Sequence, residues 1–127
     1  MRISDIIALR GSCQRAQVGC VIVSGGRIVS TGYNGPLSYQ KCGKLVCNLD
    51  EPCKNAVHAE ANAIYFAANH GISLEGCTLY CNFSPCMKCA EAIVQSGIKR
   101  VVYRIHYRDL EPITRLHSAG VESILHR

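Results

Sequence analysis

The sequence predicts an α/β chain in three layers, a mixed five-stranded sheet with helices on both faces. Three observations carry that expectation. Short runs rich in Val and Ile alternate with longer stretches of good helix formers, glycines punctuate the joins, and a Gly25-Gly26 pair opens the order with a hairpin. At 127 residues the chain can bury one core but not two, so a single domain over residues 1–127 is expected.

Residues 3–12 read as a short amphipathic helix with Ile3, Ile6, Ile7 and Leu9 on its buried side. Residues 18–23 form a buried strand, Gly25-Gly26 turns the chain, and residues 27–32 pair back through Ile28 and Val29. Residues 33–55 show no periodicity and carry Asn34-Gly35-Pro36, Gly43, Pro52 and three cysteines; a loop this long needs something to hold it. A helix over 58–69 ends near Gly71, and a strand follows over 77–81. The pattern repeats with a helix over 86–96 closed by Gly97, a strand over 100–103, a helix over 110–118 and a strand over 121–125. No internal repeat or linker interrupts it.

Apolar residues make up 48% of the chain and charged residues 18%, which argues against disorder. The net charge of +5 would favour a phosphate-bearing ligand, yet it falls short of the dense basic stripe of a nucleic-acid binder. The longest apolar run near the start is residues 6–9, too short for a signal peptide or a membrane span, so a cytoplasmic protein without a membrane partner is expected. Nine cysteines, an odd number in a chain that reads as cytoplasmic, point to metal binding before disulfides.

His58-Ala59-Glu60 and Pro85-Cys86-Met87-Lys88-Cys89 carry the chemistry. Cys-x-x-Cys at the first turn of a helix can close two thiolates on one tetrahedral ion, and an imidazole supplies a third ligand. Three protein ligands leave the fourth position to a water, the arrangement of catalytic zinc, whereas structural zinc is usually closed by four. A helix of about twelve residues climbs roughly 18 Å, and a strand of five or six returns about as far, so both helix starts fall at one edge of the sheet. Two positive helix ends there favour the negative charge of a metal-activated water. Glu60 is then placed to move protons. An isolated Cys-x-x-Cys would read equally well as a structural knuckle or a redox pair. The full set, His-x-Glu with Pro-Cys-x-x-Cys, is the signature of zinc nucleobase deaminases.

Over residues 13–121 the chain resembles the deoxycytidylate (dCMP) deaminase branch of the cytidine deaminase superfamily. Val18-Gly19-Cys20-Val21-Ile22-Val23, Thr31-Gly32-Tyr33-Asn34-Gly35, His58-Ala59-Glu60-Ala61-Asn62-Ala63-Ile64 and Ser84-Pro85-Cys86-Met87-Lys88-Cys89-Ala90, continuing into Gly97-Ile98-Lys99, carry the resemblance. It implies a cytidine deaminase-like fold and hydrolysis of dCMP to dUMP and ammonia, supplying a dTTP precursor. It also implies that Asn34 binds the sugar, that the backbone around Ala59 reads the pyrimidine edge, and that the Ser84 carbonyl accepts from the exocyclic amine. Asn34-Gly35 is equally an ordinary turn pair. Arg15 and Tyr107 stand where the family places phosphate-binding candidates, with Arg104 and Arg108 behind them; each also reads as a surface charge or a packed aromatic.

The same resemblance implies a second, structural zinc on Cys13, Cys42, Cys47 and Cys53, against the alternatives of free thiols or a disulfide. Cys20, Cys77 and Cys81 fall on predicted strands and read as core residues, and the remaining histidines lack ligand spacing. Family members are often regulated by dCTP and dTTP, with Mg2+ accompanying the nucleotide effector, and assemble as homo-oligomers, commonly hexamers. Here the regulatory segment continues Pro36-Leu37-Ser38-Tyr39 instead of the more usual proline- and glycine-rich sequence. The competing function is a tRNA adenosine deaminase or another nucleic-acid base deaminase. That would call for an extended basic surface with stacking aromatics, and this chain has no Trp and two Phe.

Overall fold

In a computed structural model, which describes residues 1–11, 17–36, 56–106 and 109–127, the elements run α1 (Arg2–Ala8), β1 (Gly19–Ser24), β2 (Arg27–Tyr33), β3 (Gly35–Pro36) and β4 (Ala56–Val57). They continue with α2 (Ala59–Asn69), β5 (Thr78–Phe83), α3 (Met87–Ser96), β6 (Arg100–Ile105), α4 (Glu111–Ser118) and β7 (Glu122–Leu125). The main sheet has five strands in the order β2-β1-β5-β6-β7. Strand β1 pairs antiparallel with β2 and β5, while β5, β6 and β7 run parallel, each joined to the next through a helix. The sheet is therefore mixed, with the five strands the sequence predicts.

Register assigns the two faces. Cys20 pairs with Gly32 and with Cys81, and Cys81 pairs with Tyr103, so these four residues point to one side of the sheet. On that side α2 lies so close to β2 that a Cβ at Gly32 would fall 2.2 Å from the Ala59 carbonyl oxygen. The Ser30 hydroxyl donates to the Ala63 carbonyl at 2.6 Å and pins the contact. Helix α3 packs beside α2, and α4 packs beside α3. Gly19, one residue from Cys20, opens the other face to α1, where its missing side chain makes room for the Ser4 carbonyl and the Ala8 backbone. The Ser4 hydroxyl donates to the Tyr80 carbonyl at 3.2 Å on that face.

This close approach overturns the expected orientation of the first helix. Only Ser4 and Ala8 are small enough to lie against β1, and they are the buried residues of α1. Ile6 and Leu9 are 64% and 70% exposed, and Ile3 is exposed with them. The helix also ends at Ala8, short of the predicted residue 12. The core sits instead on the α2 side, where Ile22, Leu79, Val101, Ile93, Ile98 and Leu116 are fully buried together with Cys20, Cys77 and Cys81. Those three cysteines are core residues, as their strand positions predict. Among the described residues, no helix is long and apolar enough to cross a membrane.

The small ladder β3–β4 is not foreseen by the sequence pattern. It pairs Gly35 with Val57 and Pro36 with Ala56, joining the two ends that flank residues 37–55 and setting Asn34 close in the fold to His58. Substituting Gly32 with Ala should cost about 1–3 kcal/mol, because the Ala59 carbonyl and the Ala63 amide belong to a helix backbone that cannot retreat alone. Urea unfolding of the variant against the parent chain measures it, and equal midpoints would refute the tight contact.

Candidate metal centre

Helices α2 and α3 both start at the same edge of the sheet, and the residue at each start is a potential metal ligand. His58 occupies the N-cap of α2 with extended backbone (φ −67°, ψ 152°), and Cys86 occupies the N-cap of α3 (φ −76°, ψ 174°). Cys89 follows one turn later and faces the same point. Neither side chain makes the cap hydrogen bond of an ordinary N-cap; the Cys86 thiol instead meets Cys89 and His58 Nδ1.

His58 Nδ1 lies 3.4 Å from Cys86 Sγ and 3.5 Å from Cys89 Sγ. All three ligand atoms fall within 4.8 Å of one another. A tetrahedral zinc with ordinary bond lengths sets its nitrogen and sulfur ligands about 3.6 Å apart, so this donor set fits the ion. Among the described residues it is the only such group of three.

Glu60 is 4% exposed and sits at the second helical position of α2, facing the thiols. Burial pushes its carboxyl up to about 7, while a hydrogen bond from its own backbone, the nearby His58 and the Cys89 thiol pull the other way. The two thiols are split by their mutual hydrogen bond: Cys86 is drawn well down as its acceptor, and Cys89 is pushed up as its donor. Hydrogen bonding to Cys86 raises His58 in turn, against its partial burial. Residues two apart on a regular helix diverge in direction. His58 and Glu60 converge because His58 stands at the cap, where the backbone is extended and has not yet begun to wind.

Asn34 is buried at the end of β2, one residue before the ladder that leads to His58. Its Oδ1 accepts from the Val18 amide at 2.9 Å. Asn62, on the first turn of α2, donates through Nδ2 to the Tyr33 carbonyl at 2.6 Å, tying the same strand end to the helix that His58 caps. Ala59 is fully buried against Gly32. Ser84 is buried between β5 and Cys86, and its amide donates to the Ile105 carbonyl at 2.8 Å. His58, Glu60, Cys86, Cys89, Asn34, Ala59 and Ser84 thus gather at one sheet edge.

A sequence model of the cytidine and deoxycytidylate deaminase zinc-binding region matches residues 1–105. The chain belongs to this family. It is 34% identical over 164 aligned residues to the deoxycytidylate deaminase of Enterobacteria phage T4, covering 96% of this chain and 85% of the phage protein. It is 39% identical over 131 residues to the Saccharomyces cerevisiae deoxycytidylate deaminase, covering 95% of this chain and 41% of the yeast protein. Among solved structures, the dCMP deaminase of cyanophage S-TIM5 in complex with dCMP and dUMP superposes with a TM-score of 0.87 at 33% identity, over 96% of this chain and 90% of the phage chain. A tRNA:A34 deaminase shares the fold at a TM-score of 0.57 and 24% identity.

Other sequence candidates lie elsewhere. Arg104 points to the α1 face, opposite the metal ligands, where its guanidinium pairs with Asp5. His70 stacks on Phe66, His106 meets the Tyr103 ring edge-on, and His117 Nε2 lies 2.6 Å from the Ser123 hydroxyl. Arg15, Tyr107, Arg108, Cys13, Cys42, Cys47 and Cys53 lie outside the described residues. One polar residue near this deaminase site was invisible to motif and spacing: Asn82, buried on β5, which accepts from the Gly19 amide at 3.0 Å and donates to the Gln17 carbonyl at 3.1 Å. A lone Asn next to a predicted apolar strand is its only trace in the sequence.

Proposed function

We propose that this chain hydrolyses dCMP to dUMP and ammonia, the step that supplies a precursor of dTTP. The observation that carries the reading is the His58, Cys86 and Cys89 donor set beside a buried Glu60. Its support comes from relatives of comparable length that are deoxycytidylate deaminases and from the likeness to a dCMP deaminase in complex with dCMP and dUMP.

Zinc on these three ligands would supply the Lewis acidity that makes a water nucleophilic near neutral pH. Glu60 takes a proton from the attacking water and passes it to the pyrimidine ring nitrogen. Oxygen bonds to C4, the bond from C4 to the amino nitrogen breaks, and the same carboxyl carries the second proton to the departing ammonia. A group that must both accept and release protons works best with its pKa near the working pH, and burial raises Glu60 above the ordinary carboxylate range. Asn34 meets the sugar, the backbone at Ala59 reads the pyrimidine edge, and the Ser84 carbonyl accepts from the exocyclic amine before it leaves. Arg15 and Tyr107 are assigned to the phosphate by family resemblance. Cys13, Cys42, Cys47 and Cys53 are assigned on the same ground to a second, closed zinc site.

Ammonia release from purified, zinc-loaded protein offered dCMP, CMP, dCTP, deoxycytidine and a tRNA anticodon stem should be fastest with dCMP. No turnover of dCMP, or faster turnover of the RNA, would sink the assignment. Glu60→Gln should keep its metal and lose a factor of about 100 or more in turnover, as expected for removal of a general acid–base group; retained activity removes Glu60 from its role. Metal analysis should find two zinc ions per chain and one in Cys47→Ser, whose dCMP turnover then shows the catalytic ion retained. A count of one in the parent chain would overturn the second site.

A further inference from the structure

Asn82 is a buried polar side chain that ties the central strand of the sheet to the chain segment holding Asn34. Two of its polar atoms are engaged with residues far away in sequence. Oδ1 accepts from the Gly19 amide at 3.0 Å, and Nδ2 donates to the Gln17 carbonyl at 3.1 Å. Val18 lies between those two anchors. Its amide donates to Asn34 Oδ1 at 2.9 Å, and its carbonyl accepts from the Asn34 amide at 3.2 Å. Four hydrogen bonds therefore run from Asn82 through three consecutive residues to Asn34.

The polarity of this relay matters. A carboxamide has one accepting end and one donating end, and the two ends cannot be exchanged without a rotation about its last bond. The Val18 amide claims the accepting end of Asn34. With Oδ1 turned to the Val18 amide, the donating end is turned the other way, so the place of Val18 bears on the direction of the whole carboxamide. The side of Asn34 nearest Gly11 is closed: a Cβ on Gly11 would fall 2.3 Å from Asn34 Oδ1, and Gln17 Nε2 in turn donates to the Gly11 carbonyl at 3.2 Å. Asn82 also stands two residues before Ser84 and four before Cys86, so the strand that delivers metal and pyrimidine contacts carries this anchor too.

We propose that Asn82 is a positioning residue for sugar recognition: through Gln17, Val18 and Gly19 it fixes the direction in which Asn34 presents its amide to a deoxynucleotide. The proposal rests on the reading of Asn34 as the sugar contact. Sugar contacts are made in the ground state and in the transition state alike, so their loss raises KM more than it lowers kcat.

Steady-state deamination of dCMP by the zinc-loaded protein tests it with Asn82→Ala, Asn34→Ala and the double variant. Asn82→Ala should raise KM about tenfold with kcat changed by no more than about threefold, the size of effect that misdirecting one hydrogen bond gives. Zinc content should stay at the parent level. The decisive arm is the double variant: if Asn82 acts through Asn34, adding Asn82→Ala to Asn34→Ala raises KM no further. Effects that multiply, an unchanged KM in Asn82→Ala, or a fall in kcat that tracks zinc loss would each overturn the proposal. Should Asn82→Ala fail to fold, Asn82→Thr keeps an acceptor for Gly19 and a branched side chain suited to a strand. It should show an intermediate rise of about threefold that again vanishes beside Asn34→Ala, and an unchanged KM there counts against the proposal equally. Failure of the underlying reading looks different: the parent chain does not turn over dCMP, or Asn34→Ala alone leaves KM unchanged, and the proposal then falls with it.

Discussion

The contact between α2 and β2 at Gly32 governs where the chemistry can occur. With no side chain at that position, the first turn of α2 lies directly on the strand, with the Ala59 carbonyl where a Cβ would be. That places His58 at the sheet edge, next to the ladder formed by Gly35 and Val57, and brings Asn62 within reach of the Tyr33 carbonyl. Any side chain at residue 32 would lift the helix and separate the imidazole from the two thiols. The alanines at 59, 63 and 67 serve the same end, since a larger residue on that face would act as a spacer.

The second determinant is the switch in strand direction within the sheet. Parallel pairing of β5 with β6 requires a crossover, and α3 supplies it, starting where β5 ends. Antiparallel pairing of β1 with β5 brings the start of β1 to the same edge, so Gln17 to Gly19, Asn34, Ser84 and Cys86 meet there from separate parts of the chain. A wholly parallel sheet of these strands would send the start of β1, with Gln17 to Gly19, to the opposite end. Glu60 then becomes the buried acid of the site because it follows His58 by two residues across a change from extended to helical backbone.

Much of this was legible in the residues. Strand and helix limits fall within a few residues of those predicted, because alternation of apolar runs and glycines is a local property. The candidate donor set of His58, Cys86 and Cys89 was legible because Cys-x-x-Cys and His-x-Glu encode geometry in their spacing. The orientation of α1 was not: counting apolar residues puts Ile3, Ile6 and Leu9 inward, but Gly19 leaves room only for Ser4 and Ala8. Asn82 escaped for a different reason, since its partners are 63 and 65 residues away and no local pattern links them. The ladder of β3 and β4 has two residues a side, too few for any periodicity. Asn34 was open to two readings, turn residue or ligand contact, and its bond to Val18 shows a fixed, buried side chain rather than a solvated turn.

The caps of α2 and α3 have an energetic meaning beyond chemistry. N-cap positions usually hold Ser, Thr, Asp or Asn, whose oxygens satisfy the first amides, and losing such a cap costs a helix roughly 1 kcal/mol. Here His58 and Cys86 take those places and make no such bond. Both helices therefore forgo local stabilisation at the ends that must be most accurately placed. An ion shared by His58, Cys86 and Cys89 would clamp the two ends together, and metal occupancy would then be thermodynamically linked to the order of these two helix starts. Two independent capping interactions would then be exchanged for one that works only when both helices are in place, which would make assembly of the site cooperative.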